Sequence, residues 1–78
     1  MLSKLVNELN DMGYIFSYNE KRSYIKIEFP ECYIEVHETL EGRLFAKSYD
    51  YENRVIAKGI YKTTKGVRNF FITKSTLE

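Results

Sequence analysis

Apolar side chains at Leu2, Leu5, Val6, Leu9 and Met12 recur at i, i+3, i+4, i+7 and i+10, the spacing of one face of a helix. Gly13 follows as a natural helix stop. From Tyr14 the period changes to two. Tyr14 and Phe16 alternate with Ile15 and Ser17, and Ile25, Ile27 and Phe29 alternate with Tyr24, Lys26 and Glu28. Ile34 and Val36 then alternate with Tyr33, Glu35 and His37, and Leu44, Ala46 and Ser48 with Arg43, Phe45, Lys47 and Tyr49. The segment Val55–Tyr61 is open to a strand or a helical reading; as a strand it sets Val55, Ala57 and Gly59 against Ile56, Lys58 and Ile60. Thr63 or Thr64 can cap a last helix, whose buried stripe runs through Val67, Phe70, Phe71 and Lys74.

The connections are short and polar: Asn19–Arg22, Phe29–Cys32, Leu40–Gly42 and Asp50–Asn53 are all of hairpin length. Gly42 closes a three-residue loop where a positive φ is expected. Closing the second hairpin on its loop pairs Glu28 with Tyr33, Lys26 with Glu35 and Tyr24 with His37, while Ile27 meets Ile34 and Ile25 meets Val36 on the opposite side. The third hairpin places Glu35 opposite Lys47, His37 opposite Phe45 and Tyr33 opposite Tyr49. With a four-residue loop, the fourth adds Ile56, Lys58 and Arg54 to those rows.

The expected fold is therefore α+β: a single small domain spanning residues 1–78, with a five-stranded antiparallel meander and an N-terminal and a C-terminal helix packed on one face, in the order α-β-β-β-β-β-α. Its inner face collects Tyr14, Phe16, Ile25, Ile27, Ile34, Val36, Leu44, Ala46, Val55 and Ala57. The outer face carries Tyr24, Tyr33, Phe45 and Tyr49 among Lys26, Lys47, Arg54, Lys58, Glu35 and His37, with Lys26, Glu35 and Lys47 as a cross-strand charge ladder. An open sheet face with several aromatics is a candidate interaction surface, because tyrosine joins an apolar body to a polar tip. The candidate partner-binding residues are Tyr24, Tyr33, His37, Phe45, Lys47, Tyr49, Arg54 and Lys58.

Composition fits a folded chain, at 44% hydrophobic and 15% aromatic residues in 78. Its formal net charge of +1 hides an asymmetry. Residues 1–42 carry four basic and eight acidic side chains, a net of −4; residues 43–78 carry eight and three, a net of +5. Lys62, Lys65 and Arg68, close to Lys58 in sequence, are candidate contacts for phosphate or an acidic surface, so nucleic acid is an alternative partner. A homodimer that hides the sheet face is a third reading.

Catalytic chemistry has little to build on. His37 is the one histidine and faces outward, whereas Cys32, the one cysteine, faces inward, so the two do not form a dyad. Glu28, Glu31, Glu35, Glu38 and Glu41 fall on alternating faces and loops, without the convergence that acid–base work or a metal needs. Lys65-Gly66-Val67-Arg68 lacks the spacing of a phosphate-binding loop. No enzyme, cofactor or metal is expected. A single cysteine, an amphipathic N-terminus in place of a signal peptide and the absence of a long apolar run point to a cytoplasmic protein away from membranes.

The helix–strands–helix order, with Lys62, Lys65 and Arg68 at the second helix, is similar to that of the double-stranded RNA-binding domain. This chain departs from it in having more strands, no Gly/Pro/His loop motif and no Ala-rich basic helix, so membership is not assigned. In its one-domain size, its Lys/Ile/Tyr/Asn/Glu-rich composition and its lack of a catalytic motif, the whole chain resembles small accessory proteins of phages and mobile elements in low-GC Gram-positive bacteria, some of them anti-CRISPR or other host-takeover inhibitors. That resemblance implies a non-catalytic inhibitor that occludes a host or defence nucleoprotein complex.

Overall fold

The computed structural model describes residues 2–74; the side chains of Thr73 and Lys74, and with them the expected end of the buried stripe at Lys74, lie outside the described residues. Helix α1 (Leu2–Met12) leads into strands β1 (Phe16–Asn19), β2 (Tyr24–Glu28), β3 (Cys32–Glu38), β4 (Leu44–Asp50) and β5 (Val55–Tyr61), and helix α2 (Thr64–Lys74) follows. The strands form one antiparallel sheet in the order β1-β2-β3-β4-β5, an unbroken meander. Val55–Tyr61 is thus a strand along its whole length.

The C-terminal end of α1 and the N-terminal end of α2 are closed by the residues expected to close them. Gly13 adopts a φ of +76°. Its amide bonds to the Asn10 carbonyl at 3.2 Å and the Tyr14 amide to the Leu9 carbonyl at 3.1 Å, the paired bonds of a Schellman stop. At α2 the Thr63 hydroxyl accepts from the Gly66 amide at 3.4 Å, which makes Thr63 the cap. Thr64 instead turns its hydroxyl to Glu8 Oε2 at 3.2 Å, and Arg68 Nε lies 3.3 Å from Glu8 Oε1. Glu8 therefore joins the two helices across their seam.

Leu2, Leu5 and Leu9 of α1 and Val67, Phe70 and Phe71 of α2 bury against Ile25, Ile27, Ile34, Val36, Leu44 and Ala46, with Tyr14, Phe16, Ala57 and Tyr61 partly buried around them. Met12, by contrast, is 44% exposed and leaves the helix stripe at its last turn. The second and third hairpins have the registers expected from their loops, including Lys26 opposite Glu35 and Glu35 opposite Lys47. Gly42 has a φ of +80° and closes the three-residue loop between Thr39 and Arg43. In the first hairpin Asn19 still pairs with Tyr24, so the turn is Glu20–Ser23 and not Asn19–Arg22. Ser23 takes the left-handed conformation there, at φ +49°.

The fourth hairpin corrects the sequence reading. The Asp50 amide bonds to the Arg54 carbonyl, and Asp50 Oδ1 collects the amides of Glu52 and Arg54 at 2.9 and 3.0 Å. Asn53 supplies a φ of +67°, a conformation asparagine tolerates. Three loop residues, Tyr51–Asn53, therefore do the work expected of four. Tyr49 then faces Val55, and a bulge between Ser48 and Tyr49 sets Ser48 opposite Ala57, Lys47 opposite Lys58 and Phe45 opposite Ile60. Lys58 joins the Lys47 row where Ile56 was expected. Val55 is 52% exposed and is not part of the inner face.

Two glycines pack Tyr61. Its ring lies along β5 over Gly59 and against Gly66 of α2, 5.9 Å from the Phe70 ring. A Cβ at Gly66 would stand 2.8 Å from Tyr61 Cδ1 and 3.2 Å from Tyr61 Cβ, and the latter cannot swing aside without moving the strand. Helix propensity alone favours Gly66→Ala by about 1 kcal/mol. Here the substitution is expected to destabilise instead, by about 1–3 kcal/mol from overpacking, as read by a lower denaturant midpoint. Ser48 gives the opposite case: its hydroxyl is fully buried on the inner face with no hydrogen-bond partner. Ser48→Ala is expected to raise the midpoint, by about 1 kcal/mol of stability.

Candidate functional site

Period-two alternation sends Tyr24 and Lys26 of β2, Tyr33, Glu35 and His37 of β3, Phe45, Lys47 and Tyr49 of β4, and Lys58 and Ile60 of β5 to the face that no helix covers. Seven of the eight candidate partner-binding residues therefore share one surface: Tyr24, Tyr33, His37, Phe45, Lys47, Tyr49 and Lys58. The eighth, Arg54, sits at the β4–β5 hairpin tip. Its Nε lies 2.9 Å from Asp50 Oδ2, and its guanidinium also pairs with Glu52.

The β2–β3 half of this face is occupied by contacts among its own side chains. The Tyr24 hydroxyl donates to Glu35 Oε2 at 2.7 Å, and the Tyr49 hydroxyl also bonds to Glu35. Tyr33 stacks on Tyr49 with ring centroids 5.0 Å apart and planes within 10°. Lys26 Nζ lies over the Tyr33 ring, 4.6 Å from its centroid, and Lys47 Nζ lies 5.1 Å from that of Phe45. The lysines expected to form a charge ladder with Glu35 thus cover aromatic rings, and tyrosine hydroxyls bond to the carboxylate. The hairpin tip folds over the same side: Tyr33 donates its hydroxyl to Asn53 Oδ1 at 2.7 Å, and Tyr51 donates to the Phe29 carbonyl at 2.6 Å. Tyr33 is left only 9% exposed, a support for its neighbours more than a contact in its own right.

At the β1 side, Tyr24 and His37 pack with centroids 4.9 Å apart. Together with Ser17, Tyr18, Asn19 and Arg22 they line an open depression of about 520 Å³. His37 is exposed there, whereas Cys32 is buried on the inner face, so the sheet itself separates them.

The β4–β5 half differs. Ile60 is 59% exposed beside half-buried Phe45, and Ile56 and Val55 are exposed on the other side of the Lys47–Lys58 row. Sequence alternation indicated Ile56 and Ile60 as outward but did not single them out; Val55 was hidden by the wrong register. The basic cluster is smaller than four residues. Lys58, Lys62 and Lys65 are exposed, while Arg68 is half-buried in its ion pair with Glu8.

The tyrosine cluster resists ionisation. Burial, then the hydrogen bond to Glu35 and its negative charge, holds the Tyr24 phenol well above the usual tyrosine range. Burial and the charge of Glu35 also raise Tyr33 and Tyr49, and burial with the charge of Glu28 raises Tyr51. Asp50 shifts down, chiefly because the Arg54 amide bonds to its carboxylate.

A scan of protein-family models, a search of curated proteins and a search of solved structures each return no match to this chain. Among the described residues, no helix is long and apolar enough to cross a membrane.

The raised tyrosines set a pH dependence. Above the unfolded value of about 10, the folded chain holds more protons than the unfolded one. Their contribution is therefore fully present below pH about 10 and is lost as pH rises through the higher folded values. Denaturant midpoints measured across this alkaline range are expected to fall. Glu35→Gln should bring the ionisation of Tyr24 and Tyr49 down toward the ordinary range, read as earlier tyrosinate absorbance in a pH titration of the folded protein.

Proposed function

We propose that this protein is a non-catalytic binding module that engages a protein or nucleoprotein partner with the β4–β5 half of its outer sheet face. What supports this is the exposed apolar surface of Ile60, Ile56 and Val55 beside Phe45, set against Lys47 and Lys58. Apolar side chains beside an aromatic ring and interleaved with charge have the composition of interface centres. Tyr24 and Tyr49 are held by Glu35, and Tyr33 by Asn53, so the rings beside this half are already ordered. An ordered surface loses little side-chain entropy on docking.

The mode of action proposed is occlusion, in which the apolar strip covers a working surface of the partner and the lysines set the approach. The resemblance to phage and mobile-element accessory proteins directs the search to a host or defence nucleoprotein complex, in the cytoplasm. The alternative, direct binding of nucleic acid, retains Lys58, Lys62 and Lys65 but has Arg68 already tied to Glu8. Three phosphate contacts predict an affinity that falls with salt at a logarithmic slope of about −3.

The test uses the Phe45→Ala/Tyr49→Ala double variant against the parent in a quantitative pull-down from the natural host, with circular dichroism to verify folding. One dominant partner is expected with the parent, and a loss of affinity on the order of 30-fold or more with the variant, the size of a hot-spot removal. Equal capture by both moves the interface elsewhere. A mobility shift with the expected salt slope and no protein partner favours nucleic acid. A doubled mass by light scattering, again without another partner, favours the homodimer.

A further inference from the structure

The two edges of the sheet are unlike. β1 is four residues long, whereas β5 runs for seven and has β4 as its single neighbour among the described residues. Antiparallel pairing alternates bonded and non-bonded positions, and two bonds fix which is which. The Thr39 amide bonds to the Arg43 carbonyl, so Phe45 and Lys47 turn their backbone groups toward β3 and Leu44, Ala46 and Ser48 turn theirs toward β5. The Asp50–Arg54 bond at the other end of the hairpin agrees. Ala57, Gly59 and Tyr61 accordingly bond to β4, and Lys58 and Ile60 point their N–H and C=O groups out of the sheet. The same two residues present a charged and an apolar side chain on the exposed outer face.

An open edge of this length is a template for another strand, and proteins blunt such edges by shortening, bulging or charging them. β1 is blunted by its shortness. β5 is bulged at its start and carries Lys58 at its centre, yet Ile56 and Ile60 flank that lysine and are exposed. Charge decides between occupants. In the register that overlaps two copies of β5 fully, Lys58 stacks on Lys58, a like-charge pair that opposes pairing. Residues 55–74 contain no Asp or Glu, and Lys62 and Lys65 are exposed just beyond the strand, so the edge suits an acidic chain.

We propose that β5 is a strand-addition site for an extended acidic segment of the partner, paired to the backbone of Lys58 and Ile60 with carboxylates facing Lys58, Lys62 and Lys65. This rests on the binding role proposed above and specifies how part of the partner is held. Main-chain bonds would supply affinity and the lysine row would supply the choice of sequence.

The experiment titrates isotope-labelled full-length protein with a capped hexapeptide of alternating Glu and Val, and separately with its Lys/Val counterpart. The acidic peptide should move the Lys58 and Ile60 amide resonances and slow their hydrogen exchange several-fold, with the effect weakening as salt is added. The basic peptide should bind roughly ten-fold more weakly or worse, because it opposes like charges across the pair. N-methylation of the Ile60 amide, introduced by chemical synthesis, should abolish the response while the rest of the spectrum is preserved. The Phe45→Ala/Tyr49→Ala variant should retain the peptide response, which separates the edge from the face: loss of the host partner there with the peptide response intact supports both claims. No change at Lys58 and Ile60, an equal response to both peptides, or persistence after N-methylation overturns the edge site. Protection of these amides in the free protein together with a doubled mass also overturns it, in favour of a second copy on the edge.

Discussion

Two eleven-residue helices can cover one face of this sheet and no more. Each is about 16 Å long and about 10 Å wide. Five strands of up to seven residues present a face about 20 Å wide and about 23 Å long. The inner face therefore takes the whole helical contribution, through Leu2, Leu5, Leu9, Val67, Phe70 and Phe71. That limit determines the remainder of the molecule, since every strand is left with an uncovered side. The Glu8 bridge to Thr64 and Arg68 holds the two helices together above the core. It also takes Arg68 out of the basic surface.

The uncovered face has to shield its own backbone. Tyr33, stacked on Tyr49 and covered by Lys26 and Tyr51, forms a second, shallow layer of packing in which each ring keeps a polar tip bonded. Glu35 is the common acceptor, and its charge stays at the centre of a ring of hydroxyls and lysine stems. This layer explains why aromatic content does not translate directly into contact surface. Tyr33 and Tyr24 act mainly within the sheet, whereas Ile60 and Ile56, unremarkable in sequence, are the large apolar side chains left open at the other end.

How much of this was legible depended on the range of the interaction. Helix stripes, the Gly13 stop and the Gly42 loop are local and were readable directly. The registers of the second and third hairpins followed because a one-residue slip would have inverted Ile25, Ile27, Ile34 and Val36. The fourth failed because Asn53 takes the left-handed conformation, and shortening that loop by one residue also required a bulge. Asparagine in a polar loop is a weak signal for this choice, so the alternation alone predicts Val55 inside and Lys58 one row away. Gly59 and Gly66 flank one ring from two different elements, and Arg68 meets a carboxylate 60 residues earlier in the chain. Such meetings arise only once the sheet and helices are assembled. The open aromatic face was visible in the alternation, but the division of that face into an occupied half and an exposed half depended on side-chain contacts across strands.

The charge asymmetry acquires a direction once the meander is built. Because strand order equals chain order, an acidic first half and a basic second half become two ends of one sheet, not an average over it. Four of the acidic side chains are committed within the fold: Glu35 to tyrosines, Glu8 to the helix seam, Asp50 and Glu52 to Arg54. Lys58, Lys62 and Lys65 have no such acidic neighbours in their own stretch of chain, and they lie in and just beyond β5, the longer of the two edge strands among the described residues. A net charge near zero thus coexists with a field that is locally positive where backbone hydrogen-bonding groups are also free. Electrostatic attraction acts over about 8–10 Å at ordinary ionic strength, so it can orient an incoming chain before the shorter-range strand bonds form.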